Sequence, residues 1–240
     1  MTTNLDRIYT MYMRISEAWQ NLTPIAQEQW GHFTTRQALN AGLDRTQLMR
    51  MVKDARIEHL ATGSYRITGA PQDKWTQLRG QWMHLINTYT TWNGPEDGPP
   101  PLIIGRDAAS DFHELGNIVA RVEHFYSSNP IVTTMPGVRV LRRKIGADEW
   151  MWYQGMPMTT PGITIRDQAS VSLDGDELGR MIYDAARLEL VYLADLAQLL
   201  HPIAPTYGLR TGWEMIEELP AYGGCDIAPF LAGYELVNHG

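Results

Sequence analysis

The chain contains one cysteine, Cys225, among its 240 residues. A single cysteine cannot form an internal disulfide or a thiolate cage around zinc, which excludes a disulfide-stapled secreted domain and a zinc finger. No apolar run reaches the roughly 20 residues that a helix needs to cross a bilayer, and the N-terminus lacks the pattern of a signal peptide. We therefore expect a cytoplasmic protein with no membrane partner.

Lysine is scarce as well, because the chain has only Lys53, Lys74 and Lys144. The residues two positions before them are methionine, glutamine and arginine, so the Asp/Glu-x-Lys motif of restriction-type nucleases is absent. The sequence also lacks H-E-x-x-H, G-x-S-x-G and a glycine-rich phosphate loop, and its seven histidines are scattered. We expect no catalytic residues, no metal site, no cofactor and no enzymatic activity, with a nuclease-like enzyme as an alternative.

The composition that remains is that of a globular protein with uneven charge. At 44% hydrophobic residues the chain can bury a substantial core, and its length suggests about two domains. The formal net charge is −7, yet six basic residues face three acidic ones within the segment 33–69. An acidic body with a basic segment is more typical of a selective regulator than of a nonspecific coating protein.

The basic segment has the pattern of two short capped helices. Thr34 with Gln37, and Asp44 with Gln47, each fit a capping box that opens a helix. Gly42 lies between them, where a glycine can take the left-handed conformation that ends a helix. Leucine, valine and methionine at helical spacing then predict a second helix with one buried face and one polar face, and the pattern leaves a methionine on the polar side.

A hairpin follows the second helix. Two short apolar runs, 57–60 and 65–68, flank a turn that contains Gly63. The order helix, turn, helix, hairpin predicts a winged helix-turn-helix domain over residues 1–72. Mixed helix and strand signals after it predict a larger α+β domain over residues 73–240, so the fold class is α+β.

A winged helix-turn-helix binds double-stranded DNA by laying its second helix in the major groove. Arginine pairs there with guanine and glutamine with adenine, while residues at the hairpin tip and the start of the first helix reach phosphates. The predicted DNA-binding residues are Thr34, Thr35, Arg36, Arg45, Thr46, Gln47, Arg50, Lys53, Ser64 and Arg66. The alternative interpretation is a small helical domain with a solvated polar face or a protein-docking role.

A second basic group lies in the predicted strand 138–145. It consists of Arg139, Arg142, Arg143 and Lys144, in a region that is otherwise net negative. These residues either extend the DNA footprint as a second phosphate-binding patch or protect an exposed strand edge from pairing.

Local patterns give the remaining elements. Thr23 and Pro24 resemble an N-cap and first helical residue, so they predict a short helix separate from the long first one. The Gly- and Pro-rich run 92–101 predicts a loop. The predicted helices outside the basic segment are 5–19 (the long first one), 24–31 (the short one), 73–88, 107–115, 161–171, 174–189, 192–200 and 211–218. The predicted strands are 118–125, 131–134, 138–145 and 150–153.

Three stretches of the sequence resemble the AbiEi-type antitoxins of abortive-infection, type IV toxin–antitoxin systems. They are FTTRQALNAGLDRTQLMRMVKDARIEHLATGSYRITGAP, IIGRDAASDFHELGN and GMPMTTPGITIRDQA. Their order and spacing are also similar to those of the family, and together they span most of residues 30–200. The second stretch departs from the family pattern, because DFHELGN stands where small and apolar residues are usual.

The resemblance implies a winged-helix transcriptional regulator that represses its own promoter, with a cognate nucleotidyltransferase toxin as partner. We expect a nucleoid-associated protein that binds inverted repeats, with a homodimer on DNA as one way to occupy both half-sites. The alternative is a ligand-responsive winged-helix regulator without a toxin partner, in which the C-terminal domain, rich in tryptophan and methionine, binds a small molecule.

Overall fold

The computed structural model describes residues 4–90 and 95–235, and the side chains of 13–90, 96–231. It is a mixed α+β structure that divides into an N-terminal unit ending at Leu102 and a C-terminal unit starting at Ile103. Part of the predicted loop 92–101 lies outside the described residues. Within the described part of the chain, no helix is both long and apolar enough to cross a membrane.

The N-terminal unit consists of helices around a three-stranded antiparallel sheet. Strand β1 pairs with β3 and β3 pairs with β2, which gives the order β1-β3-β2. Its elements are α1 (Asn4–Glu28), β1 (His32–Thr34), α2 (Thr35–Asn40), α3 (Arg45–Lys53), β2 (Ile57–Ala61), β3 (Ser64–Ile67), α4 (Thr76–Tyr89) and a 3₁₀ turn (Pro95–Asp97).

Both predicted capping boxes are confirmed. The Thr34 hydroxyl accepts a hydrogen bond from the Gln37 backbone N–H while the Gln37 side chain accepts one from the Thr34 N–H, and this pair opens α2. Asp44 and Gln47 exchange the same two bonds at the start of α3. Gly42 lies in the turn between the helices with a φ of +106°, a conformation that strains residues with a Cβ atom.

The prediction of a separate helix at 24–31 is wrong, because α1 continues through Pro24 to its end at Glu28. Proline removes one backbone N–H from the helical ladder and normally bends or breaks it. Here the Thr23 hydroxyl bonds the carbonyl oxygen of Trp19 at 2.7 Å, as a threonine inside a helix does, rather than capping a new helix.

Helix α4 extends the N-terminal unit beyond the predicted boundary at residue 72. It packs against all three strands of the small sheet, and its residues from Leu78 to Ile86 are buried. The indole N–H of Trp82 donates to the carbonyl of Leu102 at 3.0 Å, within the same unit. A domain boundary drawn from local composition misses such contacts, because they join residues far apart in sequence.

The C-terminal unit combines a five-stranded mixed sheet with a group of helices. Its strand order is β6-β5-β4-β8-β7, in which β4 is parallel to β8, and β5 is parallel to β6. The elements are β4 (Ile103–Gly105), α5 (Arg106–Phe112), β5 (Glu123–Ser127), β6 (Val138–Arg142), β7 (Trp150–Tyr153), β8 (Met156–Thr159), α6 (Pro161–Ala169), α7 (Gly175–Arg187), α8 (Leu193–Leu200), a 3₁₀ turn (Ala204–Tyr207), α9 (Gly212–Tyr222) and α10 (Ala228–Glu235).

The helices of this unit follow the sequence closely and the strands less so. Helices α6 to α9 lie where periodicity predicts them and bury a shared apolar core that includes Leu178, Leu196 and Ile216. No strand forms at 131–134, and β4 and β8 arise where none is predicted. Both missed strands are short and buried on both faces, so they lack the alternating pattern that identifies a half-buried strand.

Candidate nucleic-acid interface

Helix α3 presents a row of exposed polar and basic side chains on one face. Arg45, Thr46, Arg50 and Lys53 are all exposed, together with Met49 in the middle of the row. Residues four apart on a helix lie above one another, which aligns the basic groups along the axis. In the described part of the chain, none of the three cations forms an ion pair with a carboxylate, so their charge is directed to solvent.

The opposite face of α3 fixes the orientation of this row. Leu48 and Met51 are buried in the core of the N-terminal unit, where Phe33 stacks on Tyr65 with ring centroids 5.6 Å apart. Gln47 is held by the capping box, since its side-chain carbonyl accepts the Asp44 N–H at 2.6 Å. Glutamine recognises adenine with two hydrogen bonds, one accepted by its side-chain oxygen and one donated by its side-chain NH₂ group. The bond to Asp44 occupies the Gln47 oxygen, so only the NH₂ group is left to donate to a base.

A cleft of about 670 Å³ lies beside α3 within the N-terminal unit. Arg36 and Arg45 contribute the two positive charges of its lining, and the Arg36 guanidinium also donates to the carbonyl of Thr90 at 3.1 Å. The lining comes from α2, α3, the β2–β3 hairpin and the end of α4, and comprises Thr35, Arg36, Leu39, Asn40, Arg45, Met49, His59, Thr62, Gly63, Tyr65, Asn87 and Thr88.

The turn of the hairpin lies against the body of the unit. The backbone N–H of Thr35 donates to the carbonyl of Gly63 at 2.9 Å, and the His84 ring bonds the carbonyl of Thr62. Gly63 has a φ of +74°, and a Cβ atom added there would lie 3.0 Å from the side-chain amide of Asn87. The left-handed backbone of the turn therefore favours glycine, and any larger residue would also have to displace the Asn87 side chain slightly.

This docking corrects the predicted positions of two site residues. Ser64 is fully buried instead of lying at an exposed hairpin tip, and Thr34 is buried at the start of α2 with its hydroxyl used in the cap. Neither side chain can reach a phosphate from these positions. Thr35 and Arg36, by contrast, line the cleft, and His59 and Thr62 are the exposed side chains of the hairpin.

Arg66 is also corrected, because its side chain is only 2% exposed. Its guanidinium donates to Glu58 Oε2 at 2.7 and 3.2 Å, to the carbonyl of Ala70 at 2.6 Å and to that of Pro71 at 3.3 Å. Glu58 and Arg66 face each other across the β2–β3 pair, so the bond ties the two strands together. The side chain is internal and serves the fold.

The second basic group is divided in the same way. Arg139, Arg142 and Lys144 are exposed on or just after β6. Arg143 instead bonds Asp167 and, at 3.1 Å, Glu149, and its guanidinium stacks over the ring of Tyr126. The Arg143 charge is therefore paired within the fold, and the exposed part of this basic group is Arg139, Arg142 and Lys144.

Arg143 and Asp167 belong to an ion network inside the C-terminal unit. Arg166 completes it by bonding Glu149 at 2.8 Å and Asp167 at 3.1 Å. Burial disfavours the charge on Arg143, but the carboxylates of Asp167 and Glu149 outweigh this effect and raise its pKa. Burial raises the pKa of Asp167 despite its cationic neighbours. The network joins α6 to the segment after β6.

Glu123, at the start of β5, is half-buried near the carboxylates of Asp107 and Asp111. Burial first, and then the carboxylates of Asp107 and Asp111, raise its pKa to about 7. Its Oε2 atom is buried without a hydrogen-bond partner among the described residues. Across residues 4–90 and 95–235 no group of three or more His, Cys, Asp or Glu side chains is arranged to hold a metal ion.

Met49, His59 and Thr62 are absent from the predicted site but lie in the cleft or at its rim. Helical spacing in the sequence already places Met49 on the polar face of α3, and this is the signal that identifies it. No comparable signal marks His59 or Thr62, because their exposure follows from how the hairpin docks.

No protein-family model matches this chain, and no curated protein does. A structural likeness exists to the RV2827C protein from Mycobacterium tuberculosis, whose crystal structure aligns with a TM-score of 0.47 at 14% sequence identity. The alignment covers 87% of this chain and 78% of that chain. A likeness at this level carries no argument about function.

Proposed function

We propose that this protein is a sequence-specific DNA-binding transcriptional repressor. In this proposal α2 and α3 form the helix-turn-helix of a winged-helix domain, and β2 and β3 form its wing. The observation that carries it is the exposed row on α3: three cations and a threonine point away from a helix that is fixed by its own core. A helix of this kind fits the major groove, where arginine pairs with guanine edges and lysine with phosphates.

The docked hairpin changes the predicted contacts of the wing. Since Ser64 and Arg66 are buried, the wing would meet the DNA backbone through His59 and Thr62, beside the cleft that Arg36 and Arg45 line. The concave cleft and the convex α3 row then form one surface. Arg139, Arg142 and Lys144 remain a candidate second patch in the C-terminal unit.

The resemblance to AbiEi-type antitoxins extends the proposal to regulation. We propose that the DNA target is the promoter of the protein's own gene, occupied at inverted repeats by two copies. A nucleotidyltransferase toxin would be the protein partner, and the chain itself would perform no catalysis. These parts of the proposal depend on the resemblance and on the two half-sites that repressors of this kind bind.

The test is a titration of the purified protein onto its own upstream DNA and onto a scrambled duplex of equal composition, at two salt concentrations. We expect selective binding that persists at the higher salt, because base contacts depend less on counterion release than phosphate contacts do. Arg50→Ala should weaken the specific complex by about 1–3 kcal/mol and relax the base preference.

Arg121→Ala is the matched control, since Arg121 is exposed in the C-terminal unit outside both basic groups. It should bind both duplexes like the wild type. Equal, weak binding to the two duplexes would reject the proposal and favour a protein-docking role. Loss of binding on addition of a metabolite would instead favour the ligand-responsive regulator.

A further inference from the structure

One side chain in the α3 row is apolar. Met49 is 65% exposed, although methionine normally lies in cores, and it stands one turn after Arg45 and one turn before Lys53. Every other exposed side chain of α3 is polar or charged. Met49 is therefore the apolar side chain that α3 presents to solvent, and Leu39 of α2, which is 39% exposed, lines the same cleft beside it. Removing this apolar surface from water by contact with another apolar group is favourable.

The major groove offers one apolar feature to such a side chain. Each base pair presents hydrogen-bond donors and acceptors there, and thymine alone adds a methyl group at C5. Phosphates and sugars, which the neighbouring cations would reach, give a thioether no comparable partner. Methionine is unbranched and polarizable, so it can follow the surface of a methyl group without a fixed geometry.

We infer that Met49 contacts the C5 methyl group of a thymine and thereby sets a base preference. This inference rests on the proposed function. From Arg45 to Lys53 the helix rises about 12 Å, which is the length of about four base pairs. The thymine should therefore lie within the four or so base pairs that the α3 row covers, and near their middle because Met49 is central.

Deoxyuridine tests the inference, because it removes the methyl group and leaves every hydrogen-bonding atom of thymine in place. A preferred site is first selected from random-sequence DNA with the wild-type protein. Each thymine of that site is then replaced singly by deoxyuridine. We expect one replacement to lower affinity about fourfold, the effect of one methyl group transferred from water, and the others to leave it unchanged.

Protein variants complete the cycle. Met49→Ala should lower affinity for the thymine duplex by a similar factor and lose nothing more on the sensitive deoxyuridine duplex, because the contact is already gone. Met13→Ala is the matched control: Met13 is 57% exposed on α1, and its variant should keep the full sensitivity to deoxyuridine. The deoxyuridine series uses unaltered protein, so it does not depend on how a variant folds.

Selective binding with no sensitive thymine would overturn this inference and leave the proposed function standing. A fourfold deoxyuridine effect that persists in Met49→Ala would overturn it too, because another residue would then contact the methyl group. Failure to select any preferred sequence would reject the proposed function and this inference with it.

Discussion

Basic residues of this chain lie in two environments, an exposed helix face and the ion-paired interior, and the environment decides whether the charge can bind a ligand or stabilises the fold. Arg45, Arg50 and Lys53 lie on the outer face of α3 and pair with no carboxylate in the described part of the chain. Arg66 and Arg143 have the same chemistry, yet carboxylates and carbonyl groups surround them. The first kind can attract a phosphate, whereas the second holds strands and helices together.

The comparison also shows why basic residue counts mislead. Each segment that looks cationic in the sequence contains an arginine whose charge is neutralised within the fold. What separates the two kinds is the position of the acid: Glu58 lies across the β-ladder from Arg66, and Asp167 lies on a helix distant in sequence from Arg143. The local sequence therefore identifies the basic residue, but its acidic partner is brought to it by strand pairing or tertiary packing.

The largest expected effect comes from Arg66→Ala. This change leaves Glu58 without its cation and two carbonyl groups without a donor, so the free energy of unfolding should fall by about 3 kcal/mol. Urea denaturation followed by tryptophan fluorescence measures it. Arg50→Ala, an exposed counterpart, should alter stability by less than about 0.5 kcal/mol. Equal free energies of unfolding for the two variants would contradict the structural role assigned to Arg66.

Arg143→Ala should have the next largest effect, about 2 kcal/mol, because the buried carboxylate of Asp167 loses one of its two arginine ion pairs. The neighbouring Arg142 is exposed, so Arg142→Ala serves as the control and should unfold like the wild type. The midpoints of thermal unfolding of the two variants measure the difference, and we expect the midpoint of Arg143→Ala to be the lower. The opposite order of stabilities would contradict the role assigned to the ion network.

Glu123 extends the comparison to a half-buried carboxyl group whose charged neighbours, Asp107 and Asp111, are also acidic. Its pKa of about 7 lies above its ordinary value of 4.5, so the folded protein retains a proton that the unfolded chain has lost. The free energy of unfolding should therefore decrease between these two pH values as pH rises. Glu123→Gln cannot lose a proton and should be more stable than the wild type at pH 8 by about 1–2 kcal/mol.

Urea titrations of Glu123→Gln at pH 4 and pH 8 measure this difference, which should nearly vanish at the lower pH. The control is Glu217→Gln on α9, where the carboxylate is exposed. A pH profile for Glu123→Gln parallel to that of the wild type would contradict the raised pKa.

The smallest effect concerns the salt dependence of DNA binding. Lys53→Ala should reduce the slope of log affinity against log salt by about one, the contribution of one phosphate contact, with similar changes on all sequences. Arg142→Ala should reduce the slope only if the exposed end of β6 also contacts DNA. A slope unchanged in Lys53→Ala would remove that residue from the interface.

The sequence predicts the features that depend on neighbours along the chain. Both capping boxes, the order of α2, α3 and the hairpin, and helices α6 to α9 follow from residue type and spacing. Pro24 shows the limit of such signals, because a threonine followed by proline is typical of a helix start and here lies inside α1. The wider packing of a long helix outweighs the preference of one residue.

The candidate site was predictable in part for the same reason. The exposed row of α3 follows from helical periodicity, which separates Leu48 and Met51 from the polar face. The burial of Ser64 and Arg66 does not, because it depends on how the hairpin turn meets α2 and α4. The short buried strands β4 and β8 escape prediction because each finds its partners through distant parts of the chain.

The anchored turn at Gly63 has a consequence for the energetics of association. A hairpin whose turn is bonded to α2 and α4 has little motion to lose when a ligand binds, so folding has already met the entropy cost of ordering it. The protein surface would then change little in shape on binding. In the proposed complex with DNA, any mismatch in shape would then be relieved by deformation of the duplex. DNA sequences that bend easily, or whose grooves widen easily, would be favoured even at base pairs that no side chain touches.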